Sequence, residues 1–192
     1  MVKESLDDHA EAYTDTFKYA LDNDLILNEY AKRIASRLSG GSLMELGIGH
    51  GITTEIFSQC VSRHLVIEGS GAIIKKFREK KNLPDTEIIE SFFENFETKE
   101  KFDYIIMGFI LEHVDVPEVI VTKFKKFLAE SGSIFVAAPN SEALNRRLGY
   151  EAGMLEDLER LSDSDRLLGH KRYLNLKKLR TLAERSGMKV VS

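Results

Sequence analysis

The chain has 192 residues, 43% of them hydrophobic and 30% charged. That balance fits one globular domain with a sizeable core and excludes a disordered chain. The formal net charge of −4 gives no global attraction to a polyanion, so nucleic acid is not an expected partner. Cys60 is the single cysteine, which excludes an internal disulfide and fits a reducing cytoplasmic setting.

The first residues, Met1 to Asp8, lack the apolar centre of a targeting peptide, and no apolar run approaches the length of a bilayer span. A membrane is therefore not an expected partner. Residues 1–38 read as a helical N-terminal cover in which Tyr13, Phe17, Tyr19, Leu25, Leu27 and Tyr30 are available for burial. Between residues 39 and 139, short apolar runs alternate with amphipathic stretches, the pattern of parallel strands joined by crossover helices. Strands are expected at Ser42–Leu46, His64–Ile67, Glu87–Ile89, Tyr104–Met107 and Ser133–Ala138. Helices are expected at Gly51–Cys60, Gly71–Lys81 and Pro117–Leu128, the last opened by an acidic capping pair, Asp115 and Glu118. Cys60, near Ile56, Phe57 and Val61, reads as a buried structural thiol. Residues 140–172 form an insertion rich in Arg, Leu and acids. A final helix at Leu176–Arg185 ends at Gly187, and Met188–Ser192 resembles the opening of a strand whose hairpin is incomplete.

The stretch Leu43-Met44-Glu45-Leu46-Gly47-Ile48-Gly49-His50-Gly51 runs a strand into three alternating glycines and then a helix. Glycines there permit a tight turn and let a ligand lie against bare backbone. An ordinary turn would use the same residues. Dinucleotide sites need G-x-G-x-x-G, which would put the third glycine at Ile52. Glu45 two residues before Gly47 would repel a pyrophosphate and suit a ligand carrying a positive charge. The second strand ends in Glu68-Gly69-Ser70, about twenty residues on, where an acid can accept hydrogen bonds from ribose hydroxyls.

Glu45-x-Gly47-x-Gly49-x-Gly51 together with Glu68 resembles the cofactor motif of class I S-adenosylmethionine-dependent methyltransferases. Further on, Leu111-Glu112-His113-Val114-x-x-Pro117 and Ala138-Pro139-Asn140 are similar to the small-molecule branch of the ubiquinone-biosynthesis type. The resemblance covers about residues 40–140. It implies a Rossmann-like three-layer α/β/α sandwich with a mostly parallel central sheet, with residues 140–172 as an acceptor lid. It also implies S-adenosyl-L-methionine as cofactor and S-adenosyl-L-homocysteine as product. On this resemblance Glu45, Gly47, Ile48, Gly49, Gly51, Glu68, Gly69 and Ser70 hold the methionine and ribose parts. Ser91, Phe92, Phe93, Met107 and Gly108 border the adenine, with Ser91 standing where many relatives have Asp.

Methyl transfer needs the acceptor nucleophile held in line and, where it carries one, its proton removed. His113 lies just past the fourth strand, and its ordinary pKa suits a base near neutral pH. Phosphoethanolamine methyltransferases, which this region resembles, pair such a histidine with an N-terminal tyrosine; Tyr13 is the expected partner here, with Tyr19 beside the acceptor. Packing against the next helix is the other reading of His113. Arg146, Arg147, His170, Arg172 and Tyr173 are candidates for binding a small acceptor bearing phosphate or carboxylate, the alternative being a solvated charged face. No metal is expected, since the five histidines show no ligand spacing and no CxxC occurs. Two rival functions share the fold: a nicotinamide-dependent oxidoreductase and a cofactor-binding scaffold without turnover.

Overall fold

A computed structural model describes residues 20–191; Tyr13, Phe17 and Tyr19 lie outside them. The chain divides into two compact units. The first runs to Met107 and takes in Phe127–Phe135; the second comprises Gly108–Lys126 and the chain from Val136 onward.

Helix α1 (Ala20–Ala35) precedes strand β1 (Ser42–Leu46), α2 (Ile52–Ser58), β2 (Arg63–Glu68), α3 (Gly71–Lys80), β3 (Thr86–Glu90) and β4 (Phe102–Gly108). Helix α4 (Pro117–Lys125), β5 (Leu128–Ala137), α5 (Leu144–Glu151), α6 (Asp163–Leu167) and α7 (Leu176–Arg185) follow. The five strands form one sheet in the order β3-β2-β1-β4-β5, and β1 pairs parallel with β2 and β4, as β2 does with β3. This is the mostly parallel sheet of a Rossmann-like α/β fold. Each parallel step requires a crossover, which is why helices punctuate the strands.

Side chains alternate across a strand, so Leu43 and Glu45 share a face of the sheet with their partners His64 and Val66 on β2 and Tyr104 and Ile106 on β4. Helices α1, α2 and α3 cover that face. Ala31, Ile34, Leu43, Phe57 and Ile106 form one apolar cluster, and Ile48, Val66, Ile73, Ile74 and Phe77 form a second. Tyr30 stands edge-on to Phe57. On the opposite face Met44, Leu46, Leu65, Ile67, Ile105 and Met107 are equally buried, which explains why β1 and β2 carry apolar residues on both faces.

Several elements differ from the sequence expectation. α4 stops at Lys125, and β5 begins at Leu128 rather than Ser133. Asp115 and Glu118 form no capping box, for Val116 is the N-cap without a side-chain bond and Pro117 opens the helix. Asp115 instead pairs with Lys171 at 2.5 Å. Leu25 is exposed, and Cys60 is half-buried with its thiol directed at the Ile56 carbonyl. Met188–Val191 form no strand. Among the described residues no helix is long and apolar enough to cross a membrane.

Candidate active site

The loop from β1 to α2 is shaped by glycine. Gly47, Gly49 and Gly51 have φ of 83°, 53° and 76°, in the left-handed region that L side chains avoid. A Cβ on Gly51 would stand 2.6 Å from the Phe77 ring, so its backbone stays bare for lack of space as well. The Gly47 amide donates to the Ile67 carbonyl at 2.8 Å, which ties the loop's first residue to the end of β2.

Glu68 closes this arrangement. One carboxylate oxygen accepts from the Ile48 amide at 2.9 Å and the other from the Ser70 amide at 2.8 Å. Twenty residues of sequence are thereby pinned to one charge. Ser70 serves locally, its hydroxyl accepting from the Ile73 amide as the N-cap of α3, and Gly69 lies half-buried between them. The Ser91 amide donates to the Glu68 carbonyl at 2.9 Å, while the Ser91 hydroxyl donates to the Phe92 carbonyl. Phe92 is 36% exposed and Phe93 half-buried, both just beyond β3. Met107 is fully buried in β4 and contributes no exposed surface, whereas Gly108 is partly open. Phe109, next in the chain, has a left-handed φ of 56°, a conformation that costs a bulky residue about 1–3 kcal/mol; no sequence signal marked it.

Glu45 is buried, with its side chain only 3% exposed. Its Oε1 accepts from the Thr53 hydroxyl at 2.7 Å. Its Oε2 lies 3.3 Å from His64 Nε2, a close approach that lacks the alignment of a hydrogen bond. His64 was not among the candidates from sequence.

The second unit holds a polar cluster of its own. Asp165, buried, accepts from the Ser162 amide and hydroxyl, from the Tyr173 hydroxyl at 2.8 Å, and lies 3.2 Å from His170 Nδ1. Burial works to raise the Asp165 carboxyl, but the Ser162 bonds, then Tyr173 and the His170 charge, outweigh it and leave it below its ordinary value. Burial is also the larger influence on His170, which sits below its ordinary range in spite of Asp165. Tyr173 is pushed up to about 12, first by burial and then by Asp165. The His170 ring stands edge-on to His113, with centroids 4.8 Å apart.

Next to His113, Glu112 is wholly buried and neither carboxylate oxygen has a hydrogen-bond partner; burial raises it to about 8. Ligand-capable atoms of Glu112, His113 and His170 lie within 4.8 Å of one another. One carboxylate and two imidazoles could thus hold a divalent cation. The fold brings together His113 and His170, whose spacing in sequence gave no hint of a shared cluster.

The basic residues separate by role. The Arg146 guanidinium is buried, lies 3.9 Å above the Tyr173 ring, and donates to the carbonyls of Leu158 and Arg160. No carboxylate pairs with it among the described residues. Arg147 pairs with Glu142 at 3.1 Å, and Arg172 donates to the Asp115 carbonyl. Tyr13 and Tyr19 lie outside the described residues.

A family model described as a methyltransferase domain matches residues 19–192. The chain belongs to that family. Among curated proteins, this methyltransferase domain is 26% identical over 144 residues to the mitochondrial ubiquinone biosynthesis O-methyltransferase of Dictyostelium discoideum, a match covering 67% of this chain. The domain spans 45% of that relative's length. Solved structures with the same fold include a methyltransferase of Haloferax volcanii in complex with the Trm112 activator. Its TM-score is 0.71 at 13% identity, over 100% of this chain and 79% of that one. The N-methyltransferase NodS of Bradyrhizobium japonicum, in complex with S-adenosyl-L-homocysteine, has a TM-score of 0.58 at 20% identity, over 69% of this chain and 71% of that one.

Proposed function

We propose that this methyltransferase domain binds S-adenosyl-L-methionine and transfers its methyl group to an oxygen or nitrogen of a small anionic metabolite. The observation that carries the reading is the seat of Glu68, fixed by the amides of Ile48 and Ser70 at the mouth of a bare glycine loop. An acid held this rigidly at a strand end suits two vicinal hydroxyls. The positive-φ glycines leave room for a ligand against the main chain, so the residues present fit the cofactor. Family membership and relatives named as O- and N-methyltransferases support the same reading.

When bound, the cofactor supplies a methyl group already activated by a sulfonium. The chain has the remaining tasks. Glu45, Gly47, Ile48, Gly49, Gly51, Glu68, Gly69 and Ser70 hold the methionine and ribose parts; Ser91, Phe92, Phe93 and Gly108 border the base, with Met107 buried beneath them. His113, with Tyr13, takes the acceptor's proton. Arg146, Arg147, His170, Arg172, Tyr173 and Tyr19 bind the acceptor. Arg146, a buried cation among carbonyls and an aromatic ring without a carboxylate, favours an acceptor that brings a negative charge.

Calorimetry of the full chain with S-adenosyl-L-homocysteine and, separately, NADH tests the cofactor. The homocysteine compound is expected to bind and NADH not. Labelled S-adenosyl-L-methionine with a fractionated metabolite extract then tests transfer. Label moving into no fraction would count against an enzyme. His113→Ala with unchanged turnover would remove His113 from proton transfer.

A further inference from the structure

We propose that His64 is a positioning residue for cofactor recognition: it holds the Glu45 carboxylate at the root of the glycine loop and thereby sets affinity for the ligand's ammonium end. The proposal rests on the cofactor reading above.

β2 reads Arg63-His64-Leu65-Val66-Ile67-Glu68, and every residue after the first is buried. A histidine 2% exposed within that run needs a partner, because a buried polar atom without one is costly. The register supplies two. His64 pairs with Leu43 on β1 and with Thr86 on β3, and alternation puts Glu45 on the same face. Nδ1 lies 3.2 Å from the Thr86 hydroxyl, and Nε2 lies 3.3 Å from Glu45 Oε2. Both Nε2 and Oε2 are buried and neither makes a hydrogen bond, so the 3.3 Å approach is the polar contact that faces each of them. The Thr53 hydroxyl occupies the other Glu45 oxygen. A polar row therefore runs Thr53, Glu45, His64, Thr86 through a face otherwise built from Leu43, Val66, Ile88 and Ile106.

The row matters because of where it starts. Glu45 is the next-to-last residue of β1 and Thr53 the second of α2, so their bond spans both ends of the loop that carries Gly47, Gly49 and Gly51. With its side chain 3% exposed, Glu45 acts on a cation by its charge through a poorly screening wall, where position decides the strength of the effect. An apolar residue at position 64 would leave Oε2 facing hydrocarbon. The carboxylate would then leave its seat to recover a donor, and its charge would move off the loop.

The test is calorimetry of the full chain with two nucleosides. S-adenosyl-L-homocysteine carries the ammonium; 5′-methylthioadenosine does not. His64→Leu is expected to weaken the first by about tenfold and to leave the second within about twofold of the parent. His64→Gln can present an amide N–H where Nε2 stands, and is expected to hold S-adenosyl-L-homocysteine within about threefold of the parent. Equal loss of both nucleosides in His64→Leu, or unchanged or tighter binding of S-adenosyl-L-homocysteine, would overturn the proposal. A ligand-free measurement stands beside it: a double-mutant cycle of Glu45→Gln and His64→Leu on urea unfolding, expected to be non-additive. Strict additivity overturns the link between the two residues. If the parent bound neither nucleoside, the cofactor reading would fall, while the cycle would still judge the link.

Discussion

Gly51 is the residue where torsion and space agree most closely. Its φ of +76° is strained for any L side chain, and an added Cβ would meet Cδ2 of Phe77 at 2.6 Å. Phe77 belongs to a buried cluster with Ile48 and Val66, so it cannot retreat cheaply. Gly51→Ala is expected to cost about 2–5 kcal/mol, the sum of backbone strain and overpacking, as read from urea unfolding. A variant as stable as the parent would show that the loop and Phe77 adjust together. The glycines and Glu68 were legible in sequence because their meaning is local: a turn needs glycine, and a strand end has a definite distance from the next. The partners of Glu45 and His113 were not. His64 reaches Glu45 through strand register, and His170 reaches His113 through the path of the chain after β5, neither of which spacing encodes. For Arg146 the sequence left acceptor binding and a solvated charged face both open, and the fold buries it against Tyr173.

Among the elements, α7 shows what capping chemistry reveals. The Asn175 side chain accepts from the Lys178 amide at 2.9 Å, and Gly187 follows the helix at φ 65°, so both ends carry their signals in the sequence. Asn175→Ala is expected to destabilise the chain by about 1 kcal/mol and Asn175→Asp by much less, in thermal or urea unfolding. Equal losses would assign the effect to the contact between Asn175 and Glu142 rather than to the cap. The boundary of α4 and β5 was illegible for the opposite reason. Leu128-Ala129-Glu130-Ser131-Gly132 has few β-formers and one exposed glutamate, because this strand occupies the sheet edge and has half-exposed positions throughout. Its glycine answers to packing: a Cβ on Gly132 would stand 2.9 Å from the Asp103 carbonyl. Central strands announced themselves by apolar runs; the edge strand had no such run to show.

For the whole molecule, two of the groups displaced by burial in the second unit, Glu112 and His170, shape stability against pH in opposite windows. Burial pushes Glu112 up to about 8 in the fold, against an ordinary value of 4.5, so between those values the native state holds a proton that the unfolded chain has released. Stability from this group is complete below about pH 4.5 and is lost as pH rises toward 8, by at most about 4–5 kcal/mol. His170 lies below 6.5 in the fold, so its contribution is lost as pH falls through that value, when the unfolded chain gains a proton first. Glu112→Gln, isosteric and uncharged, is expected to flatten the alkaline limb and leave the acid limb in place, in urea unfolding from about pH 5.5 to about pH 8.5 with chelator present. Parallel curves for parent and variant would clear Glu112 as the source. The chelator defines the reference, because a divalent cation held by Glu112, His113 and His170 would favour the deprotonated carboxylate. Repeating the titration with added Zn²⁺ should then reverse the slope in the parent alone, and an unreversed slope would show that the cluster works through its protons.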